Sequence, residues 1–192
     1  MTFDPRLSQP KLWNAHQASD IRGTLIRAFE SDVIQSFEHE NRLAFGSCVA
    51  DVNYVVSNQY TLRGMHWQRG SSACAKLLTC VAGEIQDVIV DLRVYSHSYL
   101  KYASYLLSGD KPQHLFVPKG FAHGFLTLST TSTVVYAIGY PGYWKPDERN
   151  LVFDDPTINI SWNVDKQLII LSNKDKKAPT LKQLDDKALI FN

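Results

Sequence analysis

Short segments rich in valine, isoleucine, leucine, threonine and tyrosine recur along the chain. Glycine, proline, asparagine, aspartate and serine separate them at intervals of about ten residues, the spacing of a sandwich or barrel. In residues 84–92, Ile85, Asp87 and Ile89 share one face and Val88, Val90 and Leu92 share the other. Both faces are partly apolar, as expected where two sheets pack. We therefore predict an all-β, double-sheet jelly roll. Its strands are predicted at residues 23–29, 52–58, 75–81, 84–92, 102–107, 114–118, 124–129 and 132–140.

Helical periodicity is confined to two short stretches. Residues 31–42 carry apolar side chains at helical spacing behind the candidate cap Ser31, and residues 181–190 predict a second short helix near the C-terminus. No internal repeat, low-complexity tract or linker-like change of composition divides the sequence. We therefore predict one domain that spans residues 1–192.

Composition and charge exclude several classes of partner. The 192 residues are 44% hydrophobic and 20% charged, which is ordinary for a soluble globular protein. The net charge is +1, from 20 basic and 19 acidic side chains, so no overall field attracts nucleic acid or anionic lipid. We predict neither nucleic acid nor membrane as a partner, and any bound anion must be held by a local cluster.

The three cysteines, Cys48, Cys74 and Cys80, form no CxxC pair. An odd number in this spacing argues against a disulfide framework and against a zinc site. The N-terminal residues lack the apolar run of a signal peptide, and no stretch approaches the roughly 20 apolar residues that cross a bilayer. These features predict a cytoplasmic protein.

Three segments differ from ordinary strands. LRGMHWQ (62–68) combines a glycine, a charged residue and a histidine, all of which a strand interior usually avoids. The segment 117–129 has His123 among apolar residues, and 171–179 is a polar loop after a hydrophobic run. A lone histidine of this kind is more often a hydrogen-bonded core residue, and Lys76 could extend to solvent from a strand end.

Taken together and in order, these segments resemble the dTDP-4-dehydrorhamnose 3,5-epimerase family. The resemblance runs from about residue 20 to residue 179 and implies a cupin-type jelly roll with a few short peripheral helices, in agreement with the strands predicted above. The matching motifs are LRGxHxQ at 62–68, KL at 76–77, GExxDVxVDLR at 83–93, PxGFAHGF at 118–125, a tyrosine at 136 and LSxKD at 171–175.

The resemblance also implies a role for each matched residue. His66 corresponds to the general base and Asp175 to the carboxylate that orients it, while Tyr136 corresponds to the acid and Lys76 to a lysine beside the sugar. Residues 171–192 would complete the site. The substrate would be a nucleotide-diphosphate sugar, and no cofactor is implied. The implied substrate-binding residues are Arg63, His123, Arg22, Asn53, Lys174 and Tyr143.

The same resemblance implies a homodimer. A strand at about residues 20–29 would be exchanged with a partner subunit, which would bring Arg22 to the neighbouring site. Two positions in this strand depart from the family, because Leu25 replaces an aromatic residue and Arg27 an acidic one. A guanidinium group only donates hydrogen bonds, so we expect weaker discrimination in favour of thymine. Asp51 replaces a family glutamine, and a two-residue insertion falls at 141–142.

The residue types fit epimerisation next to a ketone. A ketone at C4 acidifies the hydrogens at C3 and C5, so inversion needs a base, a group that stabilises the enolate and an acid on the opposite face. Histidine suits the base because its pKa lies near neutrality. A buried aspartate fixes the tautomer of that histidine. Lys76 and His123 would stabilise the enolate oxygen, with Tyr136 as the acid on the opposing sheet.

A metal is not expected. Metal-binding cupins resemble an HxH pattern with a carboxylate and a later histidine, whereas residues 65–68 supply only His66. Other functions remain open from the sequence: a C3-only epimerase, a ketoisomerase or a non-catalytic sugar-binding cupin. The presence of His66, Asp175, Lys76 and Tyr136 argues against the last of these.

Overall fold

The computed structural model describes residues 3, 7–29, 49–185, 189 and 191. Four helical turns lie within these residues, at Lys145–Asp147, Lys166–Leu168, Asn173–Lys176 and Leu181–Gln183. The strands are β1 (Lys11–Asn14), β2 (Gln17–Asp20), β3 (Gly23–Ile26), β4 (Val49–Asn58), β5 (Leu62–Gln68), β6 (Lys76–Ala82), β7 (Glu84–Asp91), β8 (Tyr102–Ser108), β9 (Gln113–Val117), β10 (Phe121–Thr127), β11 (Thr131–Gly139) and β12 (Glu148–Asn150).

The strands form two antiparallel sheets of five strands each. The first sheet has the order β1-β9-β6-β11-β4 and the second the order β12-β5-β10-β7-β8. Side chains from their facing surfaces form one core, to which Leu78 and Val134 contribute from the first sheet and Ile85 and Ile89 from the second. This is the predicted double-sheet jelly roll.

The outer face of the second sheet is covered by the C-terminal segment (residues 151–185). Val88 and Val90 of β7 pack there with Ile158, Ile160 and Trp162 of that segment. Both faces of 84–92 are therefore apolar for a reason that differs in part from the predicted packing of two sheets. One face of β7 packs against the first sheet, whereas the other packs against irregular chain.

Backbone hydrogen bonds fix the C-terminal segment along the start of β5. The Leu62 amide donates to the Ile170 carbonyl at 3.0 Å, and the Ile170 amide donates to the Tyr60 carbonyl at 2.8 Å. Further along, the buried Asp155 carboxylate accepts a hydrogen bond from the Leu181 amide at 2.7 Å. Because these contacts flank Asn173–Lys176, they fix that helical turn next to β5.

The glycine in LRGMHWQ is explained by a close approach of β5 and β10. Gly64 has φ +137°, and a Cβ there would lie 2.5 Å from the Gly124 Cα. A Cβ on Gly124 would in turn lie 2.8 Å from the Arg63 carbonyl oxygen. The pairing of β5 with β10 is irregular between His123 and Phe125, and His123 lies opposite His66. Two glycines thus bring these two histidines onto adjacent strands.

Several predicted elements differ in extent. All eight predicted strands are present, but the one predicted at 23–29 ends at Ile26. It pairs with β2 in a two-stranded ribbon (β2–β3) whose eight residues are all exposed. The short strands β1, β2 and β12 were not predicted, and 62–68 forms a complete strand.

The two helix predictions have different outcomes. The one at 31–42 lies outside the described residues, as does Cys48. The one at 181–190 corresponds in part to the 3₁₀ turn Leu181–Gln183, after which residues 184 and 185 are not helical, while 186–188 and 190 lie outside the described part. Within the part of the chain that the structure describes, no helix has the length and apolar character needed to cross a membrane.

Candidate active site

A cavity of about 510 Å³ lies between the two sheets. It is bordered by β5 and β10 on one side, by β6 and β11 on the other, and by residues 170–175 of the C-terminal segment. Eight of the ten residues predicted to form the site line it: His66, Asp175, Tyr136, Lys76, Arg63, His123, Lys174 and Tyr143.

His66 and Asp175 form a directly hydrogen-bonded pair. His66 Nε2 lies 2.6 Å from Asp175 Oδ1. Ser172, the N-cap of the turn Asn173–Lys176, donates from Oγ to Asp175 Oδ2 at 2.9 Å and accepts from the Asp175 amide at 3.1 Å. Burial alone would raise the pKa of Asp175, but hydrogen bonds from His66 and Ser172 and nearby positive charge hold that pKa below its usual value. The carboxylate is therefore ionised and oriented by its own helix cap.

His123 forms a second pair, with Asp87. His123 Nε2 lies 2.8 Å from Asp87 Oδ2, and the aspartate is fully buried on β7. Asp87 Oδ1 has no hydrogen-bond partner among the described residues. His123 is thus hydrogen-bonded like a core histidine, yet it also lines the cavity, next to His66 on the adjacent strand.

Lys76 and Tyr136 lie on the first sheet and line the cavity from the side opposite His66. Burial lowers the pKa of Lys76, although the nearby acidic groups Asp87 and Glu148 act in the other direction. Burial raises the pKa of Tyr136, to which Glu148 also contributes, and this outweighs the lowering effect of Arg63. The Tyr136 phenol is therefore protonated at neutral pH and available as a hydrogen-bond donor.

Glu148, which was not predicted, connects two predicted residues at the cavity mouth. It accepts a hydrogen bond from Tyr143 Oη at 3.0 Å and pairs with Lys174 Nζ at 2.7 Å. Burial would raise the pKa of Glu148, but Lys174 and Tyr143 hold that pKa below its usual value. Its strand β12 has three residues, too few for a hydrophobic pattern to mark it in the sequence.

Arg22 and Asn53 do not line the cavity of this chain. Arg22 lies at the turn of the β2–β3 ribbon, where its guanidinium pairs with Asp20. Asn53 lies directly opposite Tyr136 in the pairing of β4 with β11 and so points to the same face. Their roles in substrate binding stay predictions.

Sequence reasoning also missed Ser172 and Asp87. The Asp87 position carried a signal, because a carboxylate on the inward face of a strand needs a partner. Ser172 carried the weaker signal of a serine three residues before an acidic residue, typical of a helix N-cap. In the described residues, no three histidine, cysteine, aspartate or glutamate side chains are grouped to hold a metal ion.

The two-sheet jelly roll and its acid–base cavity define a cupin-type isomerase. The family model described as dTDP-4-dehydrorhamnose 3,5-epimerase matches residues 6–183. The chain belongs to this family. It is 40% identical over 146 residues to the dTDP-4-dehydrorhamnose 3,5-epimerase of Sinorhizobium fredii, which covers 73% of this chain and 74% of the relative.

Solved structures support the same assignment. A dTDP-6-deoxy-D-glucose-3,5-epimerase from Legionella pneumophila, in complex with dTDP-4-keto-L-rhamnose, superposes with a TM-score of 0.86 at 28% identity over 98% of this chain and 96% of that one. A 3′-monoepimerase from Streptomyces bikiniensis, in complex with dTDP-quinovose, superposes with a TM-score of 0.79 at 29% identity over 90% and 84%. The fold is therefore common to enzymes that differ in the number of centres they invert.

Proposed function

We propose that this protein inverts C3 and C5 of a dTDP-linked 4-keto-6-deoxy sugar, the reaction for which its family is named. The observation that carries the proposal is the arrangement of acid–base groups in one cavity. The His66–Asp175 pair lines one side and Tyr136 the other. Inversion requires a proton to leave one face of a carbon and another to arrive at the opposite face, and this arrangement supplies a group for each.

His66 acts as the base through Nδ1. The ionised Asp175 carboxylate only accepts hydrogen bonds, so His66 Nε2, 2.6 Å away, carries a proton and Nδ1 is left with its lone pair. Nδ1 takes the proton from the carbon next to the ketone. Asp175 then stabilises the imidazolium ion that forms, and such positioned proton transfer contributes roughly 10²–10⁴-fold.

The electron pair of the broken C–H bond moves into a new carbon–carbon double bond, and the C4 carbonyl oxygen becomes an enolate. Lys76 and His123 line the cavity and stabilise this oxygen by charge and hydrogen bonding. Asp87 holds the His123 ring in place at 2.8 Å. His123 is 8% exposed and Lys76 is partly buried, and exclusion of water strengthens their effect on the developing charge.

Tyr136 returns a proton to the opposite face. Burial raises the pKa of its phenol, which therefore keeps its proton until the carbanion accepts it. The carbon then regains four bonds with inverted configuration, the His66 imidazolium releases its proton to solvent, and solvent reprotonates Tyr136. The cycle repeats at the second carbon beside the ketone.

Solvent-deuterium incorporation tests the reaction. The enzyme is incubated in D₂O with the 4-keto-6-deoxyglucose derivatives of dTDP, UDP, CDP and GDP, and the product is read by NMR. We expect deuterium at C3 and C5 of the dTDP sugar, with the weakly active His66→Asn variant as the control. Absence of exchange with every nucleotide sugar would refute the proposal.

A C3-only epimerase is the second candidate, because the Streptomyces bikiniensis 3′-monoepimerase has the same fold at 29% identity. The same experiment separates the two. Deuterium confined to C3, with retention of configuration at C5, would identify a monoepimerase. A shift of the keto group to another carbon would instead identify a ketoisomerase.

We also propose a homodimer in which the β2–β3 ribbon reaches the partner. The ribbon is exposed throughout, and Leu25 of β3 and Ile21 at the turn expose 66% or more of their surface. The first sheet also presents an exposed apolar row, Val52, Tyr54 and Val56, on its edge strand β4. These surfaces suit burial against a second copy.

Complementation tests this assembly. We expect light scattering to give twice the 21.7 kDa chain mass. His66→Asn and Arg22→Ala chains are each expected to be weakly active. When the two are co-expressed, their mixed dimer contains one site with an intact His66 and an Arg22 from the other chain, so activity should return. A fully active monomer, or no recovery in the mixed dimer, would contradict the exchange.

A further inference from the structure

The loop that carries Tyr143 is attached to β5 by one glutamine. Gln68 is 8% exposed, and both ends of its amide are used. Nε2 donates to the Gly142 carbonyl at 2.8 Å, and Oε1 accepts from the Trp144 amide at 2.6 Å. The side chain thus holds the backbone on both sides of Tyr143.

A second attachment comes from the other sheet. Asp51 of β4 accepts a hydrogen bond from the Tyr143 amide at Oδ2, at 3.2 Å. Gly142 has φ +90°, and a Cβ there would lie 3.0 Å from Ala50 Cβ and 3.2 Å from Asp51 Oδ2. The loop therefore approaches β4 so closely that glycine is favoured at this position.

We propose that Gln68 and Asp51 are positioning residues that fix the Tyr143 loop (residues 140–144) as a preformed wall of the substrate site. The inference rests on the proposed function and assigns this loop a part in it. Three backbone hydrogen bonds, one at each of residues 142, 143 and 144, determine where the Tyr143 ring lies. The ring then donates through Oη to Glu148, which pairs with Lys174.

The position of the loop indicates which part of the substrate it serves. The His66 side chain is 25% exposed and Asp175 only 5%, whereas Tyr143 is 51% exposed at the mouth. The reacting carbons must reach His66, so the loop faces the remainder of the nucleotide sugar. Loss of such a wall weakens ground-state and transition-state binding alike, which raises KM and leaves kcat unchanged.

The chain contains a matched control. Gln86 of β7 is 2% exposed and holds another loop in the same way. Its Nε2 donates to the Ser161 carbonyl at 2.8 Å, and its Oε1 accepts from the Asn163 amide at 2.7 Å. Gln86 does not line the cavity, so its replacement removes an equivalent attachment at a site without substrate.

The experiment compares Gln68→Leu with Gln86→Leu. Steady-state kinetics on the nucleotide sugar give kcat and KM, calorimetry gives the Kd for dTDP, and thermal unfolding measures the loss of stability. We expect both variants to melt lower than the wild type. Only Gln68→Leu should raise KM and the dTDP Kd, by about tenfold (about 1.4 kcal/mol), with kcat within about twofold and an unchanged pH profile of kcat.

Two further variants test whether Gln68 acts through Tyr143. In a Tyr143→Ala background, Gln68→Leu should have little additional effect, because the ring that it positions is gone. Gln68→Glu keeps the acceptor for the Trp144 amide but loses the donor to Gly142, so an intermediate KM is expected. Full additivity of Gln68→Leu with Tyr143→Ala would overturn the inference.

The remaining outcomes are also decisive. An unchanged KM and dTDP Kd in Gln68→Leu, or an equal rise in Gln86→Leu, would overturn the positioning role. If the wild-type protein exchanges no deuterium with any sugar, the epimerase proposal fails. The calorimetric comparison of the two variants then still decides whether Gln68 organises a nucleotide-binding wall.

Discussion

Replacement of Gly124 by alanine tests whether the close approach of β5 and β10 builds the site. The added Cβ would lie 2.8 Å from the Arg63 carbonyl oxygen, 2.8 Å from Met65 Sδ and 3.0 Å from the Gly64 Cα. The carbonyl and the Cα belong to backbone and cannot rotate away, so the strands must separate. Overpacking of this kind costs about 1–3 kcal/mol, which for a chain of this size lowers Tm by about 2–12 °C.

Two other glycines complete the series. Gly70→Ala meets nothing within 4 Å but has φ +59°, so it carries only the cost of a left-handed conformation, about 1–2 kcal/mol. Gly64→Ala combines φ +137° with a Cβ 2.5 Å from the Gly124 Cα, so the two costs add to roughly 2–5 kcal/mol.

Thermal unfolding and deuterium exchange are measured together on all three variants. Separation of the strands moves His66 relative to His123, and a displacement of about 1 Å can cost about 10²-fold in rate. We therefore expect Gly124→Ala to lose activity and Gly70→Ala to retain it. If Gly124→Ala melts and turns over like the wild type, the close approach has no structural or catalytic role.

Three more predictions concern individual ionisable side chains. His66→Asn and Asp175→Asn should each reduce turnover strongly, and the double variant should be scarcely slower than His66→Asn, because the two act as a unit; additive losses would argue against a pair. Tyr136→Phe should still exchange deuterium at the first carbon but invert it slowly, and unchanged epimerisation would exclude Tyr136 as the acid. Burial would raise the pKa of Asp91, but Arg93 and two serines hold that pKa below its usual value of 3.8. The ionised carboxylate therefore stabilises the folded protein fully above pH 3.8, and this contribution is lost as the pH falls through the folded pKa. Asp91→Asn should lower the free energy of unfolding at pH 7 by about 3 kcal/mol. It should also reduce the loss of stability in acid, as measured by urea denaturation at pH 7 and at a pH below the folded pKa.

The central strands were predictable because their residues are either apolar on both faces or alternate between apolar and polar. The ends and edges of the sheets were not. The strands β1 and β12 have four and three residues, and they are strands because β9 and β5 pair with them, which local sequence does not encode. The ribbon strand β2, QASD, has neither β-branched nor aromatic residues, and pairing with β3 alone makes it extended.

Within the site, residue types were easier to predict than partners. Asp87 is identifiable as an inward carboxylate on β7, but its partner His123 lies 36 positions away and depends on the irregular pairing of β10. Asp175 lies 109 positions from His66 in a polar turn without hydrophobic pattern. Only the family resemblance linked it to His66, because such distant pairs are determined by tertiary packing.

The C-terminal segment has a consequence for how the protein matures. It covers the outer apolar face of the second sheet and also carries Asp175. During synthesis, both sheets leave the ribosome before their cover does, so the nascent chain exposes Val88 and Val90 until residues 151–185 have emerged. A product truncated before residue 151 would lack Asp175, the carboxylate that we propose orients the base, and would also be prone to aggregate through the uncovered sheet. Under the proposed function, activity therefore requires that synthesis has passed Asp175.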